Sequence, residues 1–267
     1  MTLITGSGRG LGRSFAVELA RAGAPVALNA RSLDEIEQTA AQVRAIGGRA
    51  ILLPGDVTAT GMAESLVRET ESSLGPVDVL INNAGVAGPL GPAWEVDSDD
   101  WWRCQEVNLR GPMLLCRAVI PSMKARGRGR IINIASGAGT FGIPNFSAYV
   151  TSKCALIRFT EVLAAELDGS GITVLAIEPG TVRTAMVESV LNSEDGARYA
   201  PWLRAIFDAG HDLPTEAAAT FVRQLAEGAA DSLSGAFLIN TRDHPQKLAA
   251  RAQEIRENRL YRLHVRK

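Results

Sequence analysis

The 267-residue chain is poor in the residues that staple, span or coordinate. Its three cysteines, Cys104, Cys116 and Cys154, are an odd, scattered set. They exclude a disulfide framework and read as reduced, mostly buried thiols of a cytoplasmic protein. The three histidines, His211, His244 and His264, lack ligand spacing, so no metal site is expected. No apolar run approaches the roughly 18 residues that cross a bilayer. Met1 leads at once into a β-like stretch and a glycine loop, with no secretory signal, and no membrane partner is expected. Neither sign of charge dominates: 28 basic and 29 acidic residues leave a formal net charge of −1, which gives nucleic acid no footprint. Repeats, linkers and low-complexity segments are missing too, so residues 1–267 read as a single domain.

What is present is alternation. Short apolar runs at 2–5, 25–29, 50–53, 77–82, 130–135, 173–177 and 236–240 do not alternate polar with apolar, as suits parallel strands covered on both faces. Helical patterns lie between them. One opens with the capping box Ser32-Leu-Asp-Glu35. Others are expected to start near Thr58 and Ser98, and a long one to run over 145–167. Strand–helix alternation of this kind predicts an α/β fold, a doubly wound parallel sheet with right-handed crossovers. The last stretch, 241–267, differs in composition, with eight Lys/Arg against three acids. Pro245 suits a helix start there, and Leu248, Ala252 and Ile255 share one helical face, as in a terminal helix docked on its own domain or on a neighbouring subunit.

Thr5-Gly-Ser-Gly-Arg-Gly-Leu-Gly12 follows the first strand and opens the first helix, the setting a dinucleotide loop requires. Gly6, Gly10 and Gly12 let backbone approach a pyrophosphate, and Ser7, Arg9 and Leu11 lie in the same loop. A bound NAD usually finds an acid about 20 residues further on. This chain has Asn29-Ala-Arg-Ser32 there instead. Arg31 and Ser32, with Arg9, can meet a 2′-phosphate, so NADP(H) is expected over NAD(H), which stays possible. The alternative is that both arginines are merely exposed surface residues.

Tyr149 and Lys153 stand four residues apart, on one face of the long predicted helix. An ammonium beside a phenol favours the phenolate, so the Tyr149 pKa is expected to fall from its usual value near 10. A fall of about 3 units takes roughly 4 kcal/mol, more than one lysine supplies. The chain has only three tyrosines, and a lone pair of this kind can be coincidence; its company decides.

With these residues the chain resembles the short-chain dehydrogenase/reductase family over essentially residues 2–240. The Thr-Gly-x-x-x-Gly-x-Gly pattern matches at Thr5, Gly6, Gly10 and Gly12; Asp56-Val57 matches the pair that meets the adenine; and Asn82-Asn83-Ala84-Gly85 matches the element ending the fourth strand. Asn108 matches the active-site helix asparagine, Ser136 precedes Tyr149 by 13 residues as the pattern requires, and Pro179-Gly180-Thr181 matches the segment over the nicotinamide. The resemblance implies a Rossmann-like sheet of order 3-2-1-4-5-6-7 and a homo-oligomer, usually a dimer or tetramer. It also implies a catalytic set. Tyr149 is the proton donor and Ser136 bonds the same substrate oxygen. Lys153 holds the nicotinamide ribose. Asn108 keeps a water that links Lys153 to solvent. Two departures stand out. The chain leaves little first strand before its glycine loop, where relatives carry several more residues. The usual Gly-Gly ending is replaced by Leu238-Ile-Asn-Thr-Arg-Asp243 and a charged tail, whose Leu260-Tyr-Arg-Leu263 pattern resembles that of a subgroup.

The expected activity is therefore NADP(H)-dependent interconversion of a carbonyl and a secondary alcohol on a small, partly hydrophobic substrate. The alternative is a catalytically idle dinucleotide-binding sensor or scaffold, which has no chemical need for a perturbed proton donor. Substrate choice is expected in 137–144, around Trp94, and in 185–213. The last of these holds Met186, Val187, Leu191, Tyr199, Trp202, Leu203 and Phe207, which either face a substrate or pack on the core. Arg183, Arg198 and Arg204 could meet an acidic substrate or simply face solvent.

Overall fold

A computed structural model of the chain describes residues 1–264. Seven parallel strands form one sheet: β1 (Thr2–Thr5), β2 (Val26–Ala30), β3 (Ala50–Pro54), β4 (Val79–Asn82), β5 (Gly129–Ile134), β6 (Ile172–Glu178) and β7 (Phe237–Ile239), in the order β3-β2-β1-β4-β5-β6-β7. The register runs straight across the centre, with Ile4 beside Leu28 on one side and Ile81 on the other. Helices α1 (Gly10–Arg21), α2 (Leu33–Ala45), α3 (Met62–Leu74), α4 (Ser98–Gln105), α5 (Gly111–Arg126) and α6 (Ser147–Glu166) follow the first five strands. After β6 come α7 (Ala185–Leu191), α8 (Glu194–Tyr199), α9 (Pro201–Asp208) and α10 (Thr215–Ala226), and after β7 α11 (Pro245–Ala249) and α12 (Ala252–Glu257).

Both faces of each central strand are buried, and most of their side chains are apolar. Ile4 packs with α1, α2 and α10 through Phe15, Ile36 and Val222, while Leu3 packs with α3, α5 and α6 through Leu66, Leu115 and Leu163. Fully burying side chains of this size contributes roughly 1.5–3 kcal/mol each.

Element boundaries depart from the sequence expectations for local reasons. The helix after β3 starts at Met62, not near Thr58. The Asp56 carboxylate accepts the Thr58 N–H at 2.9 Å and its hydroxyl at 2.7 Å, and Gly61 turns left-handed (φ +75°). The long helix begins at Ser147 because Asn145 is left-handed (φ +66°). β4 begins two residues late, and β7 is only three residues long because the chain turns back after it: the Ile239 carbonyl accepts the Arg242 and Asp243 N–H groups (3.0 and 2.8 Å), and the Asp243 carboxylate accepts the Ile239 N–H (2.7 Å). The tail forms two short helices broken at Arg251, yet Leu248, Ala252 and Ile255 are all buried in the core face shared with Ile4. Tyr261 closes the sheet edge: its carbonyl accepts the Phe237 N–H at 2.8 Å.

A buried polar row crosses the sheet. Asn82 Nδ2 donates to Asn133 Oδ1 (2.8 Å), and Asn133 Nδ2 donates to Thr160 Oγ1 (2.8 Å), tying β4, β5 and α6 together. Asn133→Leu breaks both bonds and leaves the Asn82 amide only its weak contact with Cys116 Sγ (3.6 Å). It is expected to destabilise the fold by about 2–3 kcal/mol, read as a lowered urea midpoint with an unchanged m-value.

Candidate active site

The carboxyl ends of the strands open into one cleft of ≈ 1100 Å³ that extends from Arg31 and Ser32 at β2 to Trp202 on α9. A cleft at this end of a doubly wound sheet is where ligands bind. The glycine loop forms its floor. Gly6 is left-handed (φ +61°), and a Cβ there would lie 2.9 Å from Ala84 Cα; a Cβ on Gly12 would collide with the Gly6 carbonyl. The loop therefore lies against the end of β4 as only glycines allow. Asn83 locks it: its Nδ2 donates to the carbonyls of Thr5 (2.9 Å) and Gly6 (3.1 Å), and its N–H reaches Thr5 Oγ1 (3.0 Å). The N-terminus of α1 adds its dipole. These features fit a nucleotide pyrophosphate.

Gly6, Arg9, Gly10, Leu11, Gly12, Arg31, Ser32, Asp56, Val57, Asn83, Ala84, Gly85, Ser136, Tyr149, Lys153, Pro179, Gly180 and Thr181 line this cleft, so most of the anticipated site residues are brought together. Two are not. Ser7 is buried, and its hydroxyl donates to the Asn29 carbonyl (3.2 Å), which braces the loop against β2. Asn108 is fully buried, and its amide is committed to protein. Oδ1 accepts the Val86 N–H (2.9 Å), and Nδ2 donates to the Val86 carbonyl (2.9 Å) and Ser152 Oγ (2.9 Å). It sits in a π-helical turn, Glu106–Arg110, between α4 and α5, a distortion that no sequence pattern announces.

At the β3 end of the cleft the Arg103 guanidinium, not anticipated from sequence, binds Asp56 and donates to Thr58 Oγ1 (2.6 Å). Burial works to raise the Asp56 pKa, but hydrogen bonds from Thr58 and the charge of Arg103 outweigh it and hold the carboxyl below its ordinary value. Arg9 pairs with Glu35 at 3.2 Å. Arg31 is exposed and makes no ion pair among the described residues.

α6 carries Tyr149 and Lys153 to the centre of the cleft. Lys153 is buried, and its Nζ donates to the Ile134 carbonyl at 2.8 Å, 5.7 Å from the Tyr149 ring centroid. Burial lowers its pKa to about 8. The Tyr149 phenol is raised, not lowered as its spacing from Lys153 had suggested. Burial is the main cause, helped by the Cys104 and Glu178 charges, while a hydrogen bond with Ser136 acts the other way. Lys153, with its pKa lowered to about 8, has lost its proton by the pH at which a phenol raised above its ordinary value ionises, so it gives the phenolate little support. Ser136 Oγ accepts the Ala138 N–H at 3.2 Å, leaving its own proton to donate into the cleft.

Glu178, at the end of β6, lines the same cleft and was not picked out from sequence, although it directly precedes Pro179-Gly180 at a strand's carboxyl end. Burial raises its carboxyl pKa against the pull of Arg242 and the Gly137 N–H. On the far side, Tyr149 joins an apolar cluster of Phe146, Val190, Ala200, Ile143 and Leu203, and the Phe146 and Trp202 rings lie 5.7 Å apart.

A family model described as short chain dehydrogenase matches residues 1–195. A short chain dehydrogenase of Pseudocercospora fijiensis is 42% identical over 73% of this chain, a match spanning 62% of the fungal protein's length. A 2-dehydro-3-deoxy-L-rhamnonate dehydrogenase (NAD(+)) of Sphingomonas is 35% identical over 72% of this chain and 76% of its own. Among solved structures, a gluconate 5-dehydrogenase from Burkholderia cenocepacia in complex with NADP and tartrate superposes with a TM-score of 0.79 at 31% identity, covering 89% of this chain and 92% of that one.

Proposed function

The chain belongs to the short-chain dehydrogenase family, and from that premise we propose that it interconverts a carbonyl and a secondary alcohol with NADP(H), using Tyr149 as the general acid/base. The observation that carries the reading is one cleft holding a glycine cradle for a dinucleotide and, further in, a half-buried phenol beside Ser136 and Lys153. The nicotinamide, when bound, supplies or accepts the hydride. In reduction the Tyr149 hydroxyl donates its proton to the substrate oxygen. Ser136 donates to the same oxygen and steadies the charge that develops there. Lys153 would hold the nicotinamide ribose hydroxyls. Asn108 acts at one remove, fixing Val86 and Ser152, whose hydroxyl in turn donates to the Tyr149 carbonyl at 2.7 Å. Turnover of a ketone panel, followed by loss of reduced-nicotinamide absorbance with each nucleotide, tests the activity; no turnover with either would refute it.

NADP(H) is favoured because Arg31 and Ser32 stand exposed where an acid would bind an unphosphorylated ribose. The NADP-bound relative and the relative named for NAD(+) leave both nucleotides within the family's range. Arg31→Ala is expected to raise KM for NADPH by about 10- to 100-fold, the worth of one charge-assisted bond to phosphate, with little change in KM for NADH. Equal effects on both nucleotides would place the phosphate elsewhere.

A further inference from the structure

The charges around the cleft are not evenly distributed. Its arginines, Arg9, Arg31 and Arg103, all lie at the nucleotide end. Beyond Tyr149 the walls are apolar, built from Phe141, Ile143, Val187, Val190, Trp202 and Ile206. The segment between β6 and α10 does carry arginines, but each is engaged elsewhere and none lines the cleft. Arg183 pairs with Glu188 (2.8 Å) and stacks on Phe207, Arg198 stacks on Tyr199, and Arg204 donates to the Leu191 carbonyl. Among the described residues, Lys153 is the one cation that lines the reacting end, and its ammonium is turned to the Ile134 carbonyl; Arg242 acts on Glu178 from outside the cleft, where it pairs with Asp243 (3.2 Å).

The one other ionisable side chain at that end, besides Tyr149, is an acid. Glu178 lies against the backbone beside Ser136, so close that a Cβ on Gly137 would sit 2.7 Å from its Oε2. Its charge already disfavours the Tyr149 phenolate, and a substrate carboxylate held near the same hydroxyl would feel the same field. Resting on the function proposed above, we propose that this end of the cleft selects an uncharged, apolar ketone or secondary alcohol, and that the Glu178 carboxylate is the side chain that turns acidic substrates away. That separates this chain from the relatives named as sugar-acid dehydrogenases. Like charges about 6 Å apart at a partly buried site are worth roughly a hundredfold in an equilibrium, enough to decide between two substrates of one shape.

The test uses matched pairs of keto ester and keto acid, with methyl benzoylformate and benzoylformate as the reference pair, assayed with NADPH at mildly alkaline pH. The wild-type protein is expected to favour the ester in kcat/KM by on the order of a hundredfold. Glu178→Gln, which keeps the shape, is expected to narrow that ratio by about tenfold or more; comparing ratios cancels the difference in carbonyl reactivity between ester and acid. A lost side-chain packing role would slow both substrates together and leave the ratio alone. Equal use of acid and ester by the wild type overturns the substrate class, and an unchanged ratio in the variant overturns the part given to Glu178. Failure to reduce any ketone in the panel overturns the parent function instead, and this inference with it.

Discussion

Replacing Tyr149 by phenylalanine is expected to cut kcat for ketone reduction by about 10²–10⁴-fold, the range that positioned general acid catalysis supplies, while NADPH still binds and quenches or shifts its fluorescence as with the wild type. The ring keeps its packing against Phe146 and Val190, so the fold is expected to survive; only the proton is lost. The raised phenol pKa gives this prediction a pH signature. Burial and neighbouring acidic groups hold Tyr149 protonated across neutral pH, ready to donate. Reduction is therefore expected to stay flat through neutrality and fall only at high pH. Alcohol oxidation needs the deprotonated phenol and is expected to climb as pH rises. A reduction rate unaffected by Tyr149→Phe would leave the mechanism without its acid.

Lys153→Met is expected to have two large effects of opposite value. Turnover is expected to collapse, because the proposed mechanism gives Lys153 the nicotinamide ribose to hold. The fold, however, gains. Burial depresses the Lys153 pKa from 10.5 to about 8, so keeping the ammonium charged in the folded protein costs about 3 kcal/mol at neutral pH. Losing its bond to the Ile134 carbonyl offsets about 1–2 kcal/mol of that gain. The net stabilisation is expected to be about 1–2 kcal/mol below pH 8. The sign with pH follows from where the protons are. Below pH 8 the lysine is charged both folded and unfolded, and the full penalty is present. Between pH 8 and 10.5 the folded lysine is neutral while the unfolded one still binds a proton, so the wild type gains stability and the difference between the two proteins closes. Urea melts across this range read it directly; a variant less stable than wild type at neutral pH would show that the ammonium is not paying a desolvation penalty.

The sheet was legible because its strands are short apolar runs with helices between them, and because Gly6, Gly10 and Gly12 mark the first crossover. The cleft was legible for the same reason: residues at the carboxyl ends of parallel strands converge whatever lies between them, which gathers Asp56, Asn83, Ser136 and Pro179. What escaped depends on where a side chain points. Ser7 has the right place in the loop, but its hydroxyl is turned to Asn29. Lys153 has the right spacing from Tyr149, but burial takes its proton before the phenol ionises. The π turn at Glu106–Arg110 leaves no mark in composition, and Arg103 meets Asp56 only because that region folds over β3's end. The break in the tail helix at Arg251 is likewise a matter of docking, since Leu248 and Ile255 keep the spacing of one apolar stripe.

That stripe has a consequence for how the protein is made. Ile255 completes a core whose other members begin at Ile4, so the first strand–helix units leave the ribosome with one side of their sheet still wet. Native packing of β1 and α1 waits for a segment made about 250 residues later, and in the interval a nascent chain presents Phe15, Ile36 and their neighbours to whatever folding helpers surround it.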